Sequence, residues 1–221
     1  TSLHLAAQEG HTAAIQALLD KGANVEAKNR YDETPLHLAA QEGHAAAIKA
    51  LVAKGANINA QDNTGWTPLH GAAYEGHTEA IQALVDQGAN INVKLNDGNT
   101  PLHVAAHEGH AAAIQALLDK GANVGAKNED GKTPLHLAAH EGHAAAIQAL
   151  VDQGANINVK VNDGITPLHI AAQKGYLAAI QVLLDKGANL EAQSDNGWTP
   201  LHTAASNGHT AAIQALLDKG A

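Results

Sequence analysis

A repeat of 33 residues constrains the fold of this chain more than any other feature of its sequence. The tetrapeptide Thr-Pro-Leu-His recurs without insertions, with its threonine at Thr34, Thr67, Thr100, Thr133, Thr166 and Thr199. Thr1 begins one further unit, with Ser2 in place of proline, so the 221 residues hold seven copies, numbered 1 to 7 from Thr1, of which the last is cut short. Such a period indicates a stacked repeat protein, because one unit cannot bury its own apolar face.

Each copy carries the start and stop signals of two short helices. In copy 2, Thr34 is placed to cap a helix that begins at Pro35 and is ended by Gly43. A second helix is predicted over 45–52, and the Asn- and Gly-rich stretch 56–66 then forms a turn-bearing connection. Helices of two turns are marginal alone, so packing between neighbouring copies must stabilise them.

The composition suits a core of stacked aliphatic side chains. Apolar residues make up 45% of the chain and aromatic residues 2%, with no Phe, Met or Cys. The lack of Cys excludes a disulfide framework, a thiolate metal site and a cysteine nucleophile. No apolar run is long enough for a membrane span, and the net charge of −9 argues against binding nucleic acid or anionic membranes. The compartment is unknown, with an intracellular, cytoplasmic one as the favoured expectation.

The repeat resembles the ankyrin repeat over essentially the whole chain. The shared pattern is Thr-Pro-Leu-His-x-Ala-Ala-x-x-Gly-His, then Leu-Leu-x-x-Gly-Ala-Asn and an Asp-Gly turn. The resemblance implies an all-α solenoid of seven stacked helix-turn-helix units with projecting β-hairpin-like loops, in a single domain over residues 1–221. It also implies a protein–protein interaction scaffold, which binds a protein or peptide on the concave face formed by first helices and loop tips.

Departures from the repeat pattern are few. Tyr176 replaces the histidine that follows glycine in other copies, and Asp32 stands where later copies have glycine. The loops of copies 3 and 5 carry Val-Lys-Leu at 93–95 and Val-Lys-Val at 159–161, so we expect these loop tips to be more apolar than the others.

The fifteen histidines mostly follow the repeat, which favours a structural role for them. Seven complete the tetrapeptide, and six more follow the glycine that ends the first helix. We expect these imidazoles to bridge threonine hydroxyls and backbone groups. His107 and His140 fall outside the pattern and lie four residues after His103 and His136, so a His-based metal-binding array is the less favoured alternative. A metal site also needs a third ligand, and no metal or cofactor is predicted.

Catalytic motifs are absent from the sequence. It contains no Gly-x-Ser-x-Gly elbow and no phosphate-binding Gly-x-x-x-x-Gly-Lys loop, and without Cys there is no Cys–His pair. The 21 glycines instead follow the repeat, at helix ends and turns. The sequence therefore predicts that the protein is not an enzyme.

The positions at which the copies differ point to the binding surface. Most lie in the loop tips and at the end of the first helices, which resemble the partner-contacting positions of ankyrin arrays. The predicted partner-binding residues are Tyr31, Glu33, Trp66, Tyr74, Asn99, His107, Lys132, His140, Ile165 and Trp198. Exposed Trp and Tyr are enriched at binding hot spots, so Trp66 and Tyr74 are the leading candidates. The alternative is drift at unconstrained surface positions, with Trp66 and Trp198 packing across a hairpin.

A column of glutamates bears on the chemistry of the partner. One position near the end of the first helix holds Glu9, Glu42, Glu75, Glu108 and Glu141. An acidic stripe favours a basic partner segment, whereas a solvated polar face is the plainer interpretation. We expect a monomer that binds a protein or peptide, basic where it meets this stripe, and neither nucleic acid nor a membrane.

The origin of the array leaves a second function open. Segments 80–106 and 146–172 match at 24 of 27 positions, which indicates duplication of a pair of copies. The strict period and the lack of Cys, Met and Phe are also typical of an engineered or consensus-like ankyrin scaffold, which would have no evolved partner.

Overall fold

The computed structural model describes all residues, Thr1–Ala221, and is all-helical, with 14 helices and no β-strand. Each copy contributes two helices joined by a short turn. The first helices are α1 Ser2–Gln8, α3 Pro35–Gln41, α5 Pro68–Glu75, α7 Pro101–Glu108, α9 Pro134–Glu141, α11 Pro167–Lys174 and α13 Pro200–Ser206. The second helices are α2 Thr12–Asp20, α4 Ala45–Ala53, α6 Thr78–Asp86, α8 Ala111–Asp119, α10 Ala144–Asp152, α12 Leu177–Asp185 and α14 Thr210–Asp218.

The helices form two layers, because each first helix packs on the first helix of the next copy and each second helix on the next second helix. A continuous cluster of 44 buried apolar residues fills the space within and between the layers. Paired alanines such as Ala39 and Ala40 are fully buried. These small side chains let neighbouring first helices approach closely, which explains a core without Phe or Met. The predicted stacked solenoid is confirmed.

Local signals place the helix ends where the sequence predicts them. The backbone of Thr34 is extended, and its N–H and hydroxyl both bond Nδ1 of His37, at 3.1 and 2.9 Å. Proline then occupies the first helical position in six of the seven copies. At the other end, Gly76 adopts a φ of 76°, a left-handed conformation that suits glycine.

The connections between copies are tight turns and not strands. In the loop of copy 2, the backbone N–H of Asp62 donates to the Trp66 carbonyl at 2.9 Å, which closes a hairpin-like turn. Gly65 supplies the positive φ of this turn, and Asp32 takes the same conformation in copy 1, with a φ of 62°. Aspartate tolerates this region better than most residues, so its replacement of glycine preserves the turn.

The helices contain seven to nine residues, and none is long and apolar enough to cross a bilayer.

Candidate interaction surface

Four of the seven tetrapeptide histidines link a helix start to the end of the following loop. Nε2 of His37 lies 3.1 Å from the carbonyl oxygen of Trp66, while its Nδ1 faces the N–H and hydroxyl of Thr34. A carbonyl oxygen can only accept, so Nε2 carries the proton and Nδ1 is the acceptor. His4, His103 and His169 bond the equivalent carbonyl groups. The expected bridging role is confirmed for these residues.

Burial keeps these imidazoles neutral. It lowers the pKa of His70, His103 and His136 to about 4, because a buried imidazolium loses its hydration. Backbone carbonyl groups close to each ring oppose this shift only in part. The pKa values of His37 and His169 are lowered by burial in the same way.

The second set of histidines packs against glycines of the preceding copy. Nε2 of His110 lies 2.8 Å from the Tyr74 carbonyl oxygen, and the ring lies against Gly76. A Cβ atom at Gly76 would lie 2.7 Å from this ring, so the glycine is required for space as well as for its φ. Tyr176 packs on Gly142 in the same manner, which explains how it replaces histidine.

The pairs at i, i+4 do not form a metal site. Both ring nitrogens of His103 are engaged, with Thr100 and with the Lys132 carbonyl group. No group of three or more His, Asp or Glu side chains is arranged to hold a metal ion. His107 instead pairs with Glu108, with Nδ1 and Oε1 2.7 Å apart.

Part of the glutamate column is engaged by histidine side chains. Nε2 of His107 also lies 3.6 Å from Oε1 of Glu141, which bonds Nδ1 of His140. The His140 hydrogen bond lowers the pKa of the Glu141 carboxyl. The stripe is therefore not a uniform row of solvated carboxylates.

An open pocket with two aromatic walls lies on the face formed by first helices and loop ends. The rings of Trp66 and Tyr74 meet edge to face, with centroids 5.5 Å apart. We name this cavity of about 330 Å³ the aromatic pocket; it is lined by Trp66, Tyr74, Leu95, Asp97, Asn99, His103, Val104, His107, Glu108 and Leu137. Four predicted contact residues, Trp66, Tyr74, Asn99 and His107, thus lie together. Leu95 and Asp97 were not among the predicted residues, although the apolar loop tip of copy 3 pointed to Leu95.

A second pocket holds two more of the predicted residues. Ile165 and Trp198 line a cavity of about 410 Å³ between copies 6 and 7, and Trp198 is 42% exposed. The Trp66 ring lies against His70 and Tyr74 of α5, the helix that follows it in the chain.

The remaining predicted residues lie outside both pockets. Tyr31 is 48% exposed and lies under Arg30, with the guanidinium carbon 4.6 Å from the ring centroid. Tyr31 is therefore not part of the cluster that Trp66 and Tyr74 form. Glu33 accepts bonds from Asn29 and Gln41. Lys132 pairs with Asp130 at 3.3 Å, and Nδ1 of His140 bonds Oε1 of Glu141.

Sequence comparisons agree with this architecture. A family model described as ankyrin repeats matches residues 3–95, 55–128, 88–161 and 159–221. A segment of 35 residues, 16% of the chain, is 57% identical to a homologue of transient receptor potential cation channel subfamily A member 1 from Caenorhabditis elegans. The match covers 3% of that curated relative, so the chain corresponds to a small part of its length.

Solved structures of similar shape cover nearly the whole chain. The ankyrin repeat domain of human ASB11 is 31% identical with a TM-score of 0.87, and the match covers 100% of this chain and 98% of that one. The ankyrin repeat domain of Bcl-3, a member of the IkappaB protein family, is 30% identical with a TM-score of 0.83, over 98% of each chain. The chain belongs to the ankyrin-repeat family, whose domains are generally protein–protein interaction modules and typically non-catalytic.

Proposed function

We propose that this protein is a non-catalytic module that holds a segment of another protein on its concave face, formed by first helices and loop tips. The observation that carries this proposal is the aromatic pocket. Tyr74, with 43% of its surface accessible, forms an edge-to-face pair with the partly buried Trp66 beside a cavity. Paired aromatic walls supply large contact areas at low entropic cost, as binding hot spots do.

Other predicted contact residues extend this surface along the array. Tyr31 and Trp198 expose nearly half of their surfaces near opposite ends. An extended segment running across the copies would meet these residues and the aromatic pocket in turn. We infer that residues 1–221 act as one monomeric domain that carries out no reaction, since most of the polar groups of its tetrapeptides are engaged in holding the fold.

The first prediction concerns the aromatic pair. We expect the double variant Trp66→Ala, Tyr74→Ala to weaken peptide binding by at least about 30-fold, the effect of losing one hot-spot residue. The probes are displayed random 16-residue peptides, selected for binding to immobilised protein and then measured one by one as synthetic peptides. Melting followed by circular dichroism checks that the variant is folded.

A matched control removes two apolar side chains from the second helices. Leu177 and Leu217 are 36% and 48% exposed, and we expect Leu177→Ala, Leu217→Ala to bind the selected peptides unchanged. Peptides that bind the aromatic double variant as tightly as the original protein would contradict the proposed docking face. A failure to enrich any peptide would instead favour a scaffold without a partner.

A further inference from the structure

We propose that the aromatic pocket receives the guanidinium group of an arginine in the bound segment. This inference rests on the proposed function, because it names the side chain that the concave face recognises at its centre. The pocket combines aromatic faces, oriented carboxylates and an apolar wall, and each suits one part of an arginine side chain.

Charge is the first of these features. The pocket is lined by the carboxylates of Asp97 and Glu108, whereas no Lys or Arg lines it. Asn99 fixes the Asp97 carboxylate, because its backbone N–H donates to Oδ1 at 3.0 Å and its side-chain amide to Oδ2 at 2.8 Å. Each carboxylate oxygen has two lone pairs, so both can accept a further bond from a planar guanidinium.

The aromatic walls provide the second feature. Trp66 and Tyr74 both line the pocket and are inclined at 67° to each other, so the ring that meets its neighbour by an edge keeps its own face open. A guanidinium stacks on such faces and is more weakly hydrated than an ammonium group, which favours arginine over lysine. Arg30 lies over Tyr31 in this way within the chain itself.

The apolar wall accounts for the rest of the side chain. Leu95, Val104 and Leu137 complete the lining and provide a surface along which the three methylene groups of an arginine can lie. Leu95 stands where copies 1, 2, 4 and 6 have a polar turn residue. Only copy 5 also has an apolar residue there, Val161.

An equivalent groove in the same chain shows what distinguishes the aromatic pocket. The second pocket lies 99 residues further along, at equivalent positions of the repeat. Its volume of about 410 Å³ is similar, but it contains no carboxylate and only one Trp or Tyr ring. The positions of Trp66, Tyr74, Asp97 and Glu108 are occupied there by Ile165, Gln173, Asn196 and Asn207. The acidic aromatic character therefore comes from side chains and not from the backbone.

The test uses N-acetyl-L-argininamide as the probe and the two indole N–H signals in NMR spectra as the readout. Trp198→Phe assigns the signals, because Trp66 and Trp198 are the two tryptophans of the chain. We expect the probe to shift the Trp66 signal, with a Kd on the order of 1–10 mM. N-acetyl-L-citrullinamide, its neutral isostere, should bind at least about tenfold more weakly.

Matched charge variants separate local recognition from the overall negative charge. We expect Asp97→Asn combined with Glu108→Gln to weaken binding of the arginine probe by about tenfold or more. The control pair, Asp163→Asn with Glu42→Gln, removes the same charge at equivalent repeat positions outside the pocket and should leave binding unchanged. Melting curves of both pairs confirm that they are folded.

Three results would overturn the arginine assignment: equal binding of the citrulline probe, equal shifts at Trp198, or equal losses in both charge pairs. If selected peptides still depend on Trp66 and Tyr74 in that case, the docking face stands and only the arginine is wrong. If the peptides do not depend on that pair, the proposed function itself fails.

Discussion

At the scale of single residues, four of the tetrapeptide histidines sit between a donor at Nδ1 and a carbonyl acceptor at Nε2, an arrangement that suits the neutral ring. In copy 4, Nδ1 of His103 accepts from the N–H of Thr100 at 3.2 Å, and Nε2 faces the Lys132 carbonyl at 3.1 Å. A second proton would have to enter at Nδ1, where it would meet the Thr100 N–H. This conflict adds to burial as a reason for the neutral form.

The linked pH dependence has a definite sign. In the unfolded chain a histidine protonates near pH 6.5, whereas the folded pKa of His103 is about 4. Between these values the unfolded state binds more protons, so acidification favours unfolding. The stability that these histidines contribute is present above pH 6.5 and is lost as the pH falls towards 4.

The prediction at this scale is that His103→Gln flattens the pH dependence of stability. We expect the slope of the unfolding free energy between pH 6 and pH 5 to fall by up to about 1.4 kcal/mol per pH unit, the value of one proton. Urea unfolding at pH 7, 6 and 5 measures this slope. Leu102→Ala, which creates a cavity beside the same histidine in sequence, should lower stability at every pH and keep the slope. An unchanged slope in His103→Gln would show that His103 does not titrate as described.

At the scale of one element, a polar side chain at the start of four of the turns holds the backbone at the end of the same loop. Asn29, Asp62, Asn128 and Ser194 each accept a bond from the N–H four residues on. In all four loops, the carbonyl of that fourth residue is bonded by a tetrapeptide histidine. Leu95 and Val161 occupy this position in copies 3 and 5, and there Nε2 of His70 and His136 has no partner in hydrogen-bonding geometry. The turn side chain therefore positions the carbonyl group.

Restoring that side chain is predicted to stabilise the protein. Val161→Asn supplies a side-chain acceptor for the Ile165 N–H. This bond is expected to bring the backbone carbonyl group of Ile165 towards Nε2 of His136. We expect the unfolding free energy to exceed that of Val161→Ala by about 1–3 kcal/mol, because a buried unsatisfied group gains its partner. Val161→Ala is the control, since it removes the same apolar contacts without adding an acceptor. Equal stability of the two variants would contradict this role of the turn residue.

Elements were predictable from the sequence where their signals are local. Thr34, Pro35 and Gly43 fix the ends of α3 through bonds and φ values that each residue brings to its own neighbours, so the helix bounds followed directly. The aromatic pocket was only partly predictable. The repeat pattern predicted Trp66 and Tyr74 as contact residues, but their junction with Asp97 depends on how one copy is rotated against the next. No residue pattern within one copy encodes that rotation.

At the scale of the whole molecule, side chains tie the copies together in rows. On the second helices, Lys54 bonds Asp20 and Lys186 bonds Asp152, both at 2.6 Å. The Lys186 bond lowers the pKa of the Asp152 carboxyl. These aspartates of the second helices thus join successive copies through exposed pairs of modest strength.

The loops are joined less evenly than the helices. Backbone bonds link the loops of copies 1 and 2, 3 and 4, and 5 and 6, for example from the Glu129 N–H to the Asp97 carbonyl at 2.9 Å. A second row runs through asparagines, as where Asn92 accepts from the Asn123 N–H at 2.9 Å. Neither row has a bond between copies 4 and 5, and the asparagine row stops there because Gly125 has no side chain to meet Asn156.

This gap leaves the junction between copies 4 and 5 without either of the loop bonds. The lysine–aspartate pairs between second helices are also interrupted there, because Gln153 occupies the lysine position opposite Asp119. The stability of a stacked array is a sum of copy and junction contributions, so a bond added between copies 4 and 5 should stabilise the whole array. The single domain over 1–221 remains a prediction.

The last prediction is that Gly125→Asn repairs the asparagine row. Gly125 does not have a positive φ, and a Cβ there would have only the Asn123 side chain within 4 Å, at 3.7 Å, so a side chain fits without strain. The side-chain amide oxygen introduced by Gly125→Asn would accept from the Asn156 N–H, as Oδ1 of Asn158 accepts from the Asn189 N–H at 2.8 Å. We expect the unfolding free energy to rise by about 1–2 kcal/mol, from this bond and from the loss of glycine's freedom in the unfolded chain.

Gly125→Ala separates these two contributions, because alanine restricts the unfolded chain equally but offers no acceptor. The excess of the asparagine variant over the alanine variant therefore measures the bond between copies 4 and 5. Native-state hydrogen exchange should show this excess as slower exchange of the amides in α9 and α10, next to the repaired junction, more than of those in α1 and α2. If asparagine stabilises no more than alanine, the junction is not limited by the interrupted row.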